Sequence, residues 1–359
     1  MNQTISHVKG VGIILMVIGH AIAFNTGGYK LVYDFIYLFH MPLFFFCSVF
    51  FFKDKYAEDI QNGIEFFKKK IKGLWYPYVK CCITIILLHE LLIYFHMYHN
   101  EPFTHSYKLV DYLYNIYYAI LLKYNGDPLL AGFWFIEQLF WCSLIVCGLL
   151  WSIRKVKRIS FLHEKLLAIV LLLILSIVFN HFQKAVPFID INQRTMLVGA
   201  WFLSGMIYSK SQDNIKLTNF NGAMICCLLL LIAYFGIIQD ITQYSNKEYS
   251  WLIPIKFSVA LLGIYMIFTF TTRKYFIKLS QGWLDYIGNN TMIILALHIP
   301  CFKLINLLQC QIYNLPIEKI SSFPTIPYHT IFFAILYTII GIGLPIIVQS
   351  GIDKLKHQL

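Results

Sequence analysis

Residues 9–24 read KGVGIILMVIGHAIAF, and their pattern decides the fold: one cation at the mouth of an uncharged run, and a histidine, His20, set inside it. On an α-helix, eleven residues make just over three turns, so Lys9 and His20 project from nearly the same face, about 16 Å apart along the axis. A polar side chain held at membrane depth is costly and faces a cavity or a partner rather than lipid. Lys9 is thereby placed to meet phosphate in the aqueous phase, and His20 to act within the bilayer.

The same apolar character repeats along the chain. Of 359 residues, 58% are hydrophobic and 13% charged, about half the charged fraction of soluble domains. Spans of about 20 residues are expected near 8–25, 33–52, 74–96, 132–152, 164–181, 193–209, 221–239, 251–271, 290–310 and 329–350. The expectation is an all-α polytopic membrane protein with ten transmembrane helices, forming a single membrane domain over 1–359. The first apolar stretch lacks a small-residue cleavage site and runs into a second span, so it is expected to remain as a helix.

A net charge of +11 raises the question of nucleic acid. The basic residues sit instead in short connections between apolar runs, which excludes a nucleic-acid partner and leaves membrane lipids and cofactor phosphates. Connections at 53–72, 154–165, 273–278 and 354–356 belong to a set holding more than twice the cations of the opposite set, which predicts both termini in the cytoplasm. The amphipathic stretch 108–124 suits an interfacial or re-entrant helix better than a crossing. Nine cysteines lie almost entirely inside apolar runs and read as reduced core or lipid-facing residues, neither a disulfide set nor a metal site.

Other polar residues fall where lipid does not welcome them. The apolar run 196–208 is too short to cross, so its helix must draw in Arg194, either as an interfacial anchor or as a cation facing a cavity. Glu137, in the motif FWFIEQLFW that begins near Trp134, requires water or a basic partner, with His20 and Arg194 as candidates. His89 and Glu90 read as a satisfied polar pair. His298, two turns after Thr291, and His40 in FHMPLFFF fit either a structural or a site role. Asn289 or Asn290 is expected to cap the ninth span. In KKKIKGLWYP, the cations Lys68, Lys69, Lys70 and Lys72 fit either headgroup binding or a nucleotide-phosphate site.

Taken together these residues resemble the acyltransferase-3 family of integral membrane acyltransferases, particularly its fucose O-acetylase-like branch. The family's first helix carries a basic residue, ten intervening residues and a histidine, matched by Lys9 and His20. The resemblance continues through IYLFHMPLFFFCS, KKKIKGLWYPY, FWFIEQLFW, RTMLVGAWFLSG and YIGNNTMIILALH, in the family's order. Lysine stands where the family favours arginine, at Lys9 and at Lys69 or Lys72, keeping the charge but losing the bidentate fork. Val49 follows Ser48 where Ser-Gly is common.

The resemblance implies a cell (inner) membrane O-acyltransferase using acetyl-CoA or another acyl-CoA, with a hydroxyl of a surface or exported carbohydrate as acceptor. Lys9, Lys69, Lys70 and Lys72 would hold the donor phosphates. His20 would be the general base, oriented by Glu137. Arg194, His40, Trp134, Asn290 and His298 are the candidate acceptor-side residues. Sugar specificity is expected in the loops 97–131, 240–250 and 311–328, where aromatics such as Tyr98, Phe103, Tyr249 and Tyr313 suit either sugar stacking or an interfacial belt. Two other classes fit the composition: a glycan or lipid transporter or flippase, and a family member without catalysis. No duplicated halves of the transporter kind are visible.

Overall fold

Backbone groups inside lipid have to satisfy one another, and for long apolar runs the helix is the local solution. The computed structural model describes residues 3–23, 29–98, 103–124, 126–156, 159–182, 191–211, 218–238, 241, 249–280, 282–327 and 330–358, with no strand among them. Its helices begin with α1 (Gln3–Ala21), α2 (Lys30–Tyr37), α3 (His40–Ser48), α4 (Ile60–Lys70), α5 (Tyr76–Leu87), α6 (His89–Tyr94), α7 (Leu109–Ile120) and α8 (Trp134–Val156). They continue with α9 (Phe161–Phe182), α10 (Gln193–Ser211), α11 (Asn219–Tyr234), α12 (Leu252–Thr271), α13 (Lys274–Ser280), α14 (Trp283–Asn289), α15 (Thr291–Tyr313) and α16 (Ile331–Gln358). Portions of the basic connection 154–158 and of the loops 97–131, 240–250 and 311–328 lie outside the described residues.

Among the described residues, seven helical stretches are long and apolar enough to cross a membrane: α1, the stretch Lys30–Phe51, α8, α9, α12, α15 and α16. The architecture is that of an all-α, multi-pass membrane protein. Each of the ten expected spans carries helix, but three fall short of that measure. Helix α11 has 16 residues, and α10 includes the polar Gln193, Arg194 and Lys210. The expected continuous third span, 74–96, is broken at Leu88 into α5 and α6. Just past the break His89 opens α6 and its side chain reaches the following loop: its Nε2 lies 3.1 Å from the His105 carbonyl and its ring stacks on Tyr107 at 3.3 Å. Glu90 accepts from the Tyr107 N–H and the Ser106 hydroxyl, but the buried Nδ1 of His89 has no hydrogen-bond partner among the described residues, which corrects the expectation that the pair is fully satisfied. Before α5, Ile71–Trp75 forms one π-helical turn. Pro77 lacks an N–H and crowds the carbonyl four residues back, and a widened turn relieves both.

Helix α7 has 12 residues, about 18 Å, against a hydrocarbon thickness of about 30 Å. Leu109, Leu113, Tyr117 and Ile120 form an exposed apolar stripe along it, which suits the interfacial reading.

The chain divides into two interleaved compact units, Met1–Ile36 with Tyr78–Trp134 and Ile277–Leu359, and Tyr37–Pro77 with Phe135–Phe276. In the first, α1 packs on α14, α15 and α16. A Cβ at Gly10 would lie 2.6 Å from Leu284, and one at Gly288 would run into the Ser6 carbonyl, so only glycine allows α1 and α14 this approach. In the second, α10 packs on α9 and α3, and α11 on α12. Its buried charge is concentrated where Arg154 donates to Glu164 and Asp54, and Lys165, fully buried, donates to the same two carboxylates. Burial pushes the Asp54 carboxyl up, but Lys165 and Arg154 together hold it below the usual carboxylate range. All nine cysteines are free thiols.

Candidate active site

The N-terminal part of α1 is held by side chains as well as by close packing. Ser6 donates to the Asn289 amide oxygen at 3.1 Å, His7 Nε2 lies 3.2 Å from Asp285, and Gln3 donates to the same carboxylate at 3.3 Å. The motif YIGNN is therefore the seat of the first helix. Lys9 and His20 both lie on α1, each half-buried.

At the far part of α1, His20 Nδ1 lies 2.8 Å from His298 Nε2, and the two rings stack with centroids 5.0 Å apart. His298 is 1% exposed. Its Nδ1 sits 3.0 Å from the carbonyl oxygens of both Ile294 and Leu295. Carbonyls only accept, so His298 Nδ1 carries its proton, and in a neutral ring Nε2 then holds the lone pair. The bond between the rings follows: His20 Nδ1–H donates and His298 Nε2 accepts. A neutral His20 in this tautomer carries its own lone pair on Nε2, the state required of a general base. The pocket around His298 is closed by Phe302, edge-on at 5.9 Å, and by Gly132, where a Cβ would lie 2.6 Å from Leu295 and 3.9 Å from His298 Cε1.

Of the other sequence candidates in this unit, Trp134 is half-buried at the start of α8. Asn290 stands at the N-cap position of α15 but makes no capping bond, correcting the expected cap. Its amide turns back to donate to the Tyr286 carbonyl, closing the end of α14 instead, while Asn289 is taken by Ser6.

The second unit holds the rest. His40 is buried, edge-on to Tyr37 at 4.6 Å. Glu137 is 1% exposed at the start of α8, and its neighbour Gln138 accepts from the Thr195 hydroxyl at 2.7 Å, tying α8 to the start of α10 beside Arg194. Lys69 bonds to Glu65 and to the Tyr56 hydroxyl, both at 2.6 Å. Lys70 lies over the Phe66 ring at 5.0 Å, and burial pushes its ammonium down to about 8. Lys72, in the π turn, is exposed.

Sequence reasoning missed His7 and Asp127. His7 falls on the buried side of α1 two residues before Lys9, a spacing that carries no signal by itself. Asp127, 1% exposed in the first unit, accepts from the hydroxyls of Tyr98 and Tyr124, each at 3.0 Å, and from the Leu129 N–H at 2.8 Å. Burial pushes its carboxyl up to about 6. Among the described residues no group of three or more His, Cys, Asp or Glu is gathered as a metal set.

Neither curated proteins nor solved structures gave a match to this chain. A family model described as an acyltransferase domain matches residues 2–349, nearly the whole length. An all-α membrane architecture, a basic residue and a histidine eleven apart on the first helix, and that match lead to one conclusion: the chain belongs to the acyltransferase-3 family, and the protein is a multi-pass membrane acyltransferase.

Proposed function

We propose that the protein is an O-acetyltransferase of the cell (inner) membrane, moving an acetyl group from cytoplasmic acetyl-CoA to a hydroxyl of a surface or exported carbohydrate. The observation that carries this reading is the hydrogen bond from His20 to His298, in the tautomer that leaves the base position on His20 Nε2. Lys9 lies eleven residues earlier on the same helix, so a donor with phosphate at Lys9 and its arm laid along α1 presents its thioester near the imidazole. His20 takes the proton from the acceptor hydroxyl as that oxygen attacks the thioester carbonyl. The C–S bond then breaks, and the departing thiolate takes the proton from His20. Loss of a proton from a hydroxyl near pH 7 is the task to which neutral imidazole is best matched.

The excess of cations in the connections assigned to the inner side supports cytoplasmic termini, with Lys9 at the donor side. Glu137, Arg194, Lys69, Lys70 and Lys72 belong to the second unit and are assigned by sequence alone. The test is incubation of the purified protein with radiolabelled acetyl-CoA and a set of glycans, beside His20→Ala. Label entering glycan in the wild type and not in the variant is the expected result. Glycan movement without label identifies a transporter, and neither activity identifies a non-catalytic member. Either outcome overturns the proposal.

A further inference from the structure

Helix α15 continues past His298 to Gln309. Eleven residues separate them, so they lie on nearly the same face, about 16 Å apart along the axis. Gln309 is 2% exposed, and its side-chain Nε2 is buried without a hydrogen-bond partner among the described residues. Buried donors are nearly always satisfied, so an unmet one requires an explanation. The same side chain lines a cavity of about 530 Å³ with Tyr313, Lys319, Ile326, Pro327 and Thr330.

The wall of this cavity is fixed from behind. Lys303, 1% exposed, donates to the carbonyls of Ser321 and Ser322 at 3.0 and 2.7 Å. Asn306 donates to those of Ile320 and Ser322 at 2.8 and 3.1 Å, and its amide oxygen accepts from Tyr337. Cys310, Ile320 and Ile326 form an apolar floor with Leu315 against it. The arrangement is a largely apolar pocket with a few placed polar groups, the usual form of a small-ligand site.

We propose that this cavity is a subsite for a sugar ring of the acceptor glycan, remote from the hydroxyl that is acylated. The inference rests on the carbohydrate reading above and deepens it. An amide and an ammonium donate to ring hydroxyls, while the half-exposed Tyr313 ring packs on the C–H face of a pyranose. A lipid acyl chain in the same space leaves the Gln309 amide unmet, which favours the sugar. The separation from His298 exceeds one ring, so the acceptor is an oligomer or polymer.

The test is saturation-transfer difference NMR on the protein in lipid nanodiscs. The probes are oligosaccharides of graded length, released by mild acid from the producing cell's surface polysaccharide. The wild type and His20→Ala are expected to bind the longer oligomers equally. Gln309→Leu and Tyr313→Ala are expected to bind them about tenfold more weakly, and wild type is expected to bind disaccharides at that weaker level. Tyr313 is half-exposed, so its variant keeps the test open if the Gln309 variant fails to fold. Unchanged affinity in both variants, no difference between short and long oligomers, or no oligosaccharide binding by wild type overturns the subsite. Because binding is read without turnover, loss of acetyl transfer from an oligosaccharide-binding wild type sinks the enzymatic proposal alone. Transfer with unaltered KM for long acceptors in both variants sinks only the subsite.

Discussion

His20 and His298 stand 278 residues apart in the chain and share one hydrogen bond of 2.8 Å, with the proton on His20 Nδ1. That direction is dictated from outside the pair, by the Ile294 and Leu295 carbonyls that claim the His298 Nδ1–H. In the proposed mechanism His298 therefore holds the base in orientation and tautomer, a supporting role of the kind whose loss lowers activity by about 10- to 100-fold around metal-ligand histidines. His20→Ala is expected to abolish acetyl transfer while membrane yield is kept. His298→Ala is expected to lower kcat by about 100-fold. His298→Gln keeps an oxygen that accepts from His20 and should recover part of the loss. ¹⁵N NMR of the ring nitrogens reads the tautomer directly, and a wild-type spectrum with the proton on His20 Nε2 would remove the base from the mechanism.

Lys9 supplies a single positive charge where the family favours the two-pronged guanidinium. Lys9→Ala should raise KM for acetyl-CoA by about tenfold, with kcat at saturating donor unchanged, as expected when binding shared equally by ground and transition states is lost. Lys9→Arg should hold KM at or below the wild-type value. Initial rates against donor concentration decide the matter; a fall in kcat without change in KM would place Lys9 elsewhere in the mechanism.

Packing of α1 on α14 leaves no room for a methyl group at Gly288, whose Cβ would strike the Ser6 carbonyl. Gly288→Ala should cost about 1–3 kcal/mol, the usual range for overpacking, and lower transfer with it. Gly148 on α8 has nothing within 4 Å of such a Cβ, and Gly148→Ala should be neutral or slightly stabilising. Thermal unfolding in nanodiscs compares the two variants side by side.

Burial pushes the Asp127 carboxyl up from an ordinary 3.8 to about 6, so folding favours its neutral form. Its stabilising contribution is whole below pH ~4 and is lost as pH rises through 6, a swing of about 3 kcal/mol at 1.36 kcal/mol per unit. Asp127→Asn should flatten that part of the stability profile. Unfolding temperatures between pH 4 and 7.5 check it, and an unaltered slope in the variant would show that other groups set the dependence.

Much of this molecule was legible in its sequence because the information is local. Apolar length marks the spans, and helical spacing alone puts Lys9 and His20 on one face. The polar character of His89 and Glu90 announces bonds to other polar groups, which Glu90 makes in full and His89 through Nε2 alone. What escaped is set by contacts distant in sequence. Nothing in the residues around His298 says that its neighbour is His20, so its supporting role could not be separated from an ordinary buried histidine. The break at Leu88 depends on Tyr107 and His105, in a loop beyond the span itself. Asn290 resembles a cap because its residue type suits one, yet it makes no capping bond and its amide donates to the Tyr286 carbonyl. The two-unit division is hidden because each unit is assembled from separated stretches of chain.

Helix α1 is clamped where Ser6 meets Asn289 and again where His20 meets His298, and between those fastenings it cannot slide. It works as a ruler whose length is counted in residues. If the donor is the acyl-CoA proposed above, an arm shorter or longer than the pantetheine chain would bring its carbonyl out of register with the imidazole, and selectivity for the carrier would then come from the rigid spacing of one helix, with no closing loop needed.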